Sequence, residues 1–195
     1  MFKTLLPGEL IENTKKQQIV LFHNPVPKEP YLSHYYIYKD GTVEKLLDDS
    51  KWCVQLDLEP ETFDKNGVSF RYLDKTLIGI TLENVGPVMY KNNTFHPVWW
   101  VDKQIDAAYE YCTKTKWRGY QHWELYYEKQ LESLRELLLS LCERHSIPKT
   151  YNADIWDVSR RALMGTPGIF CRCSFIKDAH DLHPQIELVN MLKSL

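Results

Sequence analysis

A chain of 195 residues that is 44% hydrophobic and 26% charged can bury a sizeable core without disulfides or a structural metal, and it reads as a single domain over 1–195. Its formal net charge of -2 excludes a global attraction to a nucleic acid polymer or a membrane surface, so any anion site has to be local. Five cysteines, odd in number and irregularly spaced, exclude a disulfide framework, and an N-terminal stretch MFKTLLPGELIENTKK without a signal h-region or a spanning helix points to a cytoplasmic protein.

Residues 1–17 hold a Pro-Gly turn and a Lys pair and read as an arm. The apolar run IVLF at 19–22 ends on His23, Asn24 and Pro25, which predicts a buried strand that stops at a polar end and places His23 at its terminus. Pro25, Pro27 and Pro30 then force a loop. His34 to Tyr38 alternates, Lys39 to Gly41 is a turn signal, and Thr42 to Leu47 resumes the pattern, which predicts a β-hairpin. Trp52 to Leu58 reads as a further strand, and Glu59 to Gly67 as an exposed acidic loop. LIGITL at 77–82 predicts a central strand whose Gly79 marks a close backbone approach.

Residues 86–125, rich in aromatics (Trp99, Trp100, Tyr109, Tyr111, Trp117, Tyr120, Trp123) and without a sustained period, read as a long insertion of short irregular elements. Its rings either pack a core or wall a cleft for a planar or sugar-like ligand. From Glu128 to His145 the leucines at 131, 134, 138 and 141 form one stripe, and Pro148 closes the helix they predict. A short helix over 157–163 and another over 186–195 complete the reading. Strands followed by helices laid across them give an α/β domain with a mixed central sheet flanked by helices.

The densest chemistry lies at 168–184, GIFCRCSFIKDAHDLHP, with two cysteines, two histidines and two aspartates in one segment. Extended backbone there would turn Cys171 and Cys173 to one face and Arg172 to the other.

HYYIYKDGTVEKL at 34–46, LIGITLEN at 77–84 where the family has SIGIELVN, the strand ending in His23, and the Pro167-Gly168-Ile169-Phe170 and Asp181-Leu182-His183-Pro184 pieces together resemble the zinc-dependent N-acetylmuramoyl-L-alanine amidase family. That family includes phage amidase lysozymes and peptidoglycan recognition proteins, and the resemblance covers most of the chain. It implies the amidase fold. It also implies a zinc held by two imidazoles and a carboxylate or thiolate, with water in the fourth position made acidic enough to attack an amide. His23 matches the first ligand and Asp181 the third.

At the second, the resemblance puts a histidine where this chain has Arg172, and arginine has no lone pair to give a metal. Thr81 stands where the family has a glutamate, Gln55 where it has a histidine, and Ala179 where it has a lysine. His183 belongs to the family motif in a supporting role.

The leading expectation is therefore a catalytically degenerate amidase fold without a cofactor. An Asp181–Arg172 pair replaces the metal, and His23, Gln55, Thr81, Arg172, Lys177 and Asp181 face a cleft for a small anionic ligand or peptide, or a protein partner. Arg160 and Arg161 are more distant cations. The alternative is a working peptidoglycan amidase of the phage endolysin type, cutting the N-acetylmuramoyl–L-alanine bond with zinc on His23, Asp181 and a substitute among Cys171, Cys173 and His180. A third reading is a module that binds other proteins through its surface.

Overall fold

Two uninterrupted apolar runs set the middle of the fold, because a strand covered on both faces has no polar side to show. The computed structural model describes residues 14–24, 33–56, 58, 70–91, 94–98 and 116–195. In chain order these form β1 (Gln18–Asn24), β2 (Tyr35–Ile37), β3 (Val43–Lys45), α1 (Phe70–Thr76), β4 (Leu77–Glu83), β5 (Pro87–Lys91), β6 (Thr94–Pro97), β7 (His122–Trp123), α2 (Glu128–His145), α3 (Arg160–Leu163), β8 (Gly168–Cys171) and α4 (Ile186–Lys193). Single 3-10 turns lie at Ala153–Trp156 and Arg172–Ser174.

Among the described residues the main sheet runs β3-β2-β4-β1-β8. The β1–β4, β1–β8 and β2–β4 pairs are parallel and the β2–β3 hairpin is antiparallel, which is the mixed α/β architecture expected from the sequence. β4 is central, as its apolar run predicts. The stripe of Leu131, Leu134, Leu138 and Leu141 on α2 is buried in the core. Beside it the buried Gln130 donates from Nε2 to the carbonyls of Ile37 and Glu83, each at 3.1 Å, and so ties the helix to the ends of β2 and β4. The helix stops at Ser146, which takes a left-handed φ of 56° just before Pro148.

Several expectations need correction. Residues 52–56 are not a strand: the Asp74 carboxylate accepts the Gln55 and Leu56 backbone N–H groups at 3.0 and 3.2 Å, so these donors go to a side chain and not to a ladder. α1 is a helix that the sequence pattern did not show. The segment 86–125 is not merely irregular, since β5, β6 and β7 form a second sheet in the order β6-β5-β7. The short helix expected over 157–163 begins only at Arg160, where the Ser159 hydroxyl accepts the Ala162 N–H at 3.3 Å. The N-terminal arm through residue 13, the proline loop at 25–30, the acidic loop at 59–67 and Trp99, Trp100, Tyr109 and Tyr111 lie outside the described residues.

The close approach expected at Gly79 is a real one: a Cβ there would overlap Gln55 Oε1 and come within 3.2 Å of Phe22 Cε2. Gln55 in turn donates to His34 Nδ1 at 3.3 Å, the same nitrogen that accepts the Gly79 N–H at 3.1 Å. His34 Nε2 faces the Lys51 carbonyl at 3.1 Å, so the ring is neutral with its proton on Nε2. Burial, the largest cause, holds its pKa down to about 4.

Two outcomes follow. Gly79→Ala should destabilise the fold by about 1–3 kcal/mol in chemical denaturation, with Gln55→Ala in the same chain recovering much of the loss. Because the folded His34 value lies below the unfolded one, its contribution is complete above the unfolded value and falls as pH drops from about 6.5 towards 4, by about 3 kcal/mol. Denaturation midpoints of wild type and His34→Gln across that window should converge as the pH falls.

Candidate functional site

Ladder pairing between β1 and β8 covers only Gln18 to Leu21, after which the chain leaves the sheet through the Arg172–Ser174 3-10 turn. The edge of β1 beyond that point still carries the His23 N–H. A side chain takes it: Asp181 Oδ1 accepts this N–H at 3.3 Å. The other oxygen, Oδ2, accepts from Arg172 Nη1 at 3.1 Å, which makes the ion pair expected between the two residues. His23 and Asp181 are buried while Arg172 is half-buried. Burial lowers the His23 pKa, with Asp181 opposing and Arg172 and His180 reinforcing the shift.

Asp181 is held in place from the small sheet. His183 is stacked between Trp123 and Tyr126, with centroids at 5.1 and 4.8 Å and interplanar angles of 25° and 19°. Its backbone N–H donates to Tyr126 Oη at 3.3 Å, and Gln185 completes the clasp by accepting the Tyr126 N–H at 2.7 Å and donating to the Tyr126 carbonyl at 3.2 Å. Leu182, fully buried between the two, has a φ of 52°, a strained value that this clasp maintains. Both ring nitrogens of His183 are without a hydrogen-bond partner among the described residues, and burial pushes its pKa down to about 3.

Other expected site residues are not brought to this cluster. Thr81 pairs with Phe22 and Tyr36 in the ladders, whereas His23 pairs with Leu82, so alternation sends Thr81 and His23 to opposite faces. Gln55 packs over Gly79, on the Thr81 face. The alternation expected through Cys173 also fails, because the strand ends at Cys171. By register Cys171 shares the face of Leu21 and His23. Cys171 and Cys173 are nevertheless both fully buried: the Cys173 thiol donates to the Ile155 carbonyl at 3.4 Å, and burial pushes the Cys171 thiol well up. Arg161 is spent on Asp154 through two hydrogen bonds of 3.1 and 2.9 Å, Arg160 is exposed at the start of α3, and Ala179 is buried in a turn.

A cleft of about 380 Å³ has Trp117 and Trp156 in its lining. Lys177, Asp178 and His180 line it from the same segment that carries Asp181, and Arg118 and Asp157 complete its rim. His180 sets its ring edge-on to Tyr120 at 5.3 Å and has its pKa lowered, first by burial and then by Arg118. Trp156 and Arg118 were not legible as site residues. The cleft joins parts of the chain about 40 and 60 positions apart, a juxtaposition that no local pattern displays.

A family model for N-acetylmuramoyl-L-alanine amidase matches residues 10–166, most of the chain. The chain belongs to this amidase family. Among solved structures it is similar to the N-acetylmuramoyl-L-alanine amidase LysC from Clostridium intestinale URNW, at 10% identity and a TM-score of 0.49 over 93% of this chain and 86% of that one. It is also similar to the endolysin N-acetylmuramoyl-L-alanine amidase LysCS from the same organism, at 11% identity and a TM-score of 0.47 over 91% and 83%. No curated protein matches the sequence. The matched stretch of the amidase model ends before Arg172 and Asp181.

Zinc, which the amidase family implies, would meet an altered donor set in this member. Both Asp181 oxygens are engaged, one with a guanidinium that brings positive charge to the place of a cation. Among the described residues no three His, Cys, Asp or Glu side chains are grouped to hold a metal ion. The two cysteines nearest in sequence are both fully buried, and burial pushes the Cys171 thiol well up.

Removing one member of the pair strands the other. Arg172→Met should cost about 1–3 kcal/mol in denaturant unfolding, because among the described residues the buried Asp181 then keeps only the His23 N–H. The double variant with Asp181→Asn should lose less than the two single losses added together, and strict additivity would show that the pair is not coupled.

Proposed function

We propose that this amidase-family chain has given up zinc-dependent hydrolysis and uses the region around Arg172 to bind a small ligand that carries an anionic group. The observation that carries this reading is the Arg172 guanidinium seated on Asp181 where the family resemblance calls for a metal ligand. A guanidinium there both neutralises the carboxylate and keeps a water from being activated, since it offers no Lewis acidity.

Arg172 also has binding capacity to spare. Its side chain is 36% exposed, and its hydrogen bond to Asp181 runs through Nη1. A planar fork with unused donors is suited to carboxylate or phosphate oxygens. Lys177, exposed on the neighbouring rim, adds a second positive charge.

The test is elemental analysis of the purified protein after incubation with zinc and dialysis, together with a cleavage assay on a muropeptide containing the N-acetylmuramoyl–L-alanine bond. Well under one zinc per chain and no released peptide are expected. One zinc per chain with turnover abolished by His23→Ala would replace this reading with that of a working amidase.

A further inference from the structure

The cleft lined by Trp117 and Trp156 has a chemistry of its own. Two of its lining side chains are indoles, and both are fixed in advance. Trp156 donates from Nε1 to Tyr151 Oη at 2.9 Å, while Trp117 packs on Trp123 with centroids 5.0 Å apart and carries the Arg118 guanidinium 5.1 Å from its ring centre. Arg118 is itself held by the Lys177 carbonyl and by Asp157 Oδ1 at 3.3 Å. Walls that are already ordered lose little freedom when a flat molecule stacks on them.

Charge narrows the choice of occupant. Two cations, Arg118 and Lys177, face two carboxylates, Asp157 and Asp178, so the lining as a whole does not concentrate anions and stacking has to carry the affinity. Asp157 Oδ1 also accepts the Val158 N–H at 2.8 Å, so this carboxylate is already held in place at the rim. Lys177, by contrast, is an exposed donor on the rim. A volume of about 380 Å³ suits one ring system with a short polar extension.

We propose that this cleft binds a planar heteroaromatic ring bearing an anionic group, with a mononucleotide as the representative case: the ring stacks on Trp117 and Trp156, and Lys177 meets the anion. The proposal deepens, and rests on, the reading of this chain as a binding protein.

The experiment titrates the full chain with adenosine 5′-monophosphate, adenosine and ribose 5-phosphate, following intrinsic tryptophan fluorescence and calorimetry. Saturable binding is expected for the monophosphate and for adenosine, and none for ribose 5-phosphate. Trp117→Ala should weaken both binders by about tenfold or more, the size of one lost base–aromatic stack. Lys177→Glu, a change at an exposed position that leaves the core intact, should weaken the monophosphate about tenfold through a reversed charge while leaving adenosine within about twofold.

The proposal falls if the monophosphate shows no saturable binding, if ribose 5-phosphate binds as well as it does, or if both variants bind like wild type. Failure of these titrations in a protein that also lacks zinc and turnover removes only this ligand class and leaves the preceding reading in place. Zinc and turnover in a protein that still binds the monophosphate through Trp117 would instead remove the loss of hydrolysis and leave the cleft.

Discussion

The arrangement at the end of β1 depends on one backbone donor. A parallel strand that outruns its neighbour exposes N–H groups that must find acceptors, and the His23 N–H does so on the Asp181 carboxylate beyond the last β8 pair. That bond brings a buried negative charge to the C-terminal end of the central strands, where open α/β sheets generally place their sites. A buried carboxylate needs compensation, by a metal or by a cationic side chain. In this member of the amidase family the cation is Arg172, covalently part of the chain.

Much of the frame was legible because it rests on patterns with few alternatives. The apolar runs of β1 and β4 and the leucine stripe of α2 each bury a continuous face, the Asp-Gly turn joins a buried strand to an exposed one, and each lies where its pattern put it. What could not be read was decided by single side chains acting at a distance. Asp74 draws the 55–56 backbone away from a strand geometry that its apolar residues would otherwise suit. The small sheet pairs β5 with β6 and with β7, the latter more than thirty positions along the chain, and its strands are too short to show a period.

The site was legible in the same uneven way. Arg172 and Asp181 were identifiable because the family motif gives each position a chemical requirement that arginine fails and aspartate meets. Which way the neighbours face was not, since the two-residue alternation on which that inference depends ends at Cys171, where strand gives way to a 3-10 turn. Thr81 and Gln55 illustrate the same limit: motif position put them at the site, while ladder register and the missing Cβ of Gly79 put them on the sheet's other face. The role of His183 rests on stacking partners more than fifty positions away in the chain.

The stack of Trp123, His183 and Tyr126 links parts of the molecule that are otherwise remote. Trp123 belongs to β7 of the small sheet and touches Trp117 at the cleft wall, while His183 is two residues from the carboxylate that accepts from β1. His183 lies nearly parallel to Trp123 and Tyr126, and Trp117 meets Trp123 at a tilt of 59°, so the cleft lining and the Asp181 segment share one close-packed group of rings. Cleft lining and ion pair therefore lie at the two ends of one packed run of rings and backbone.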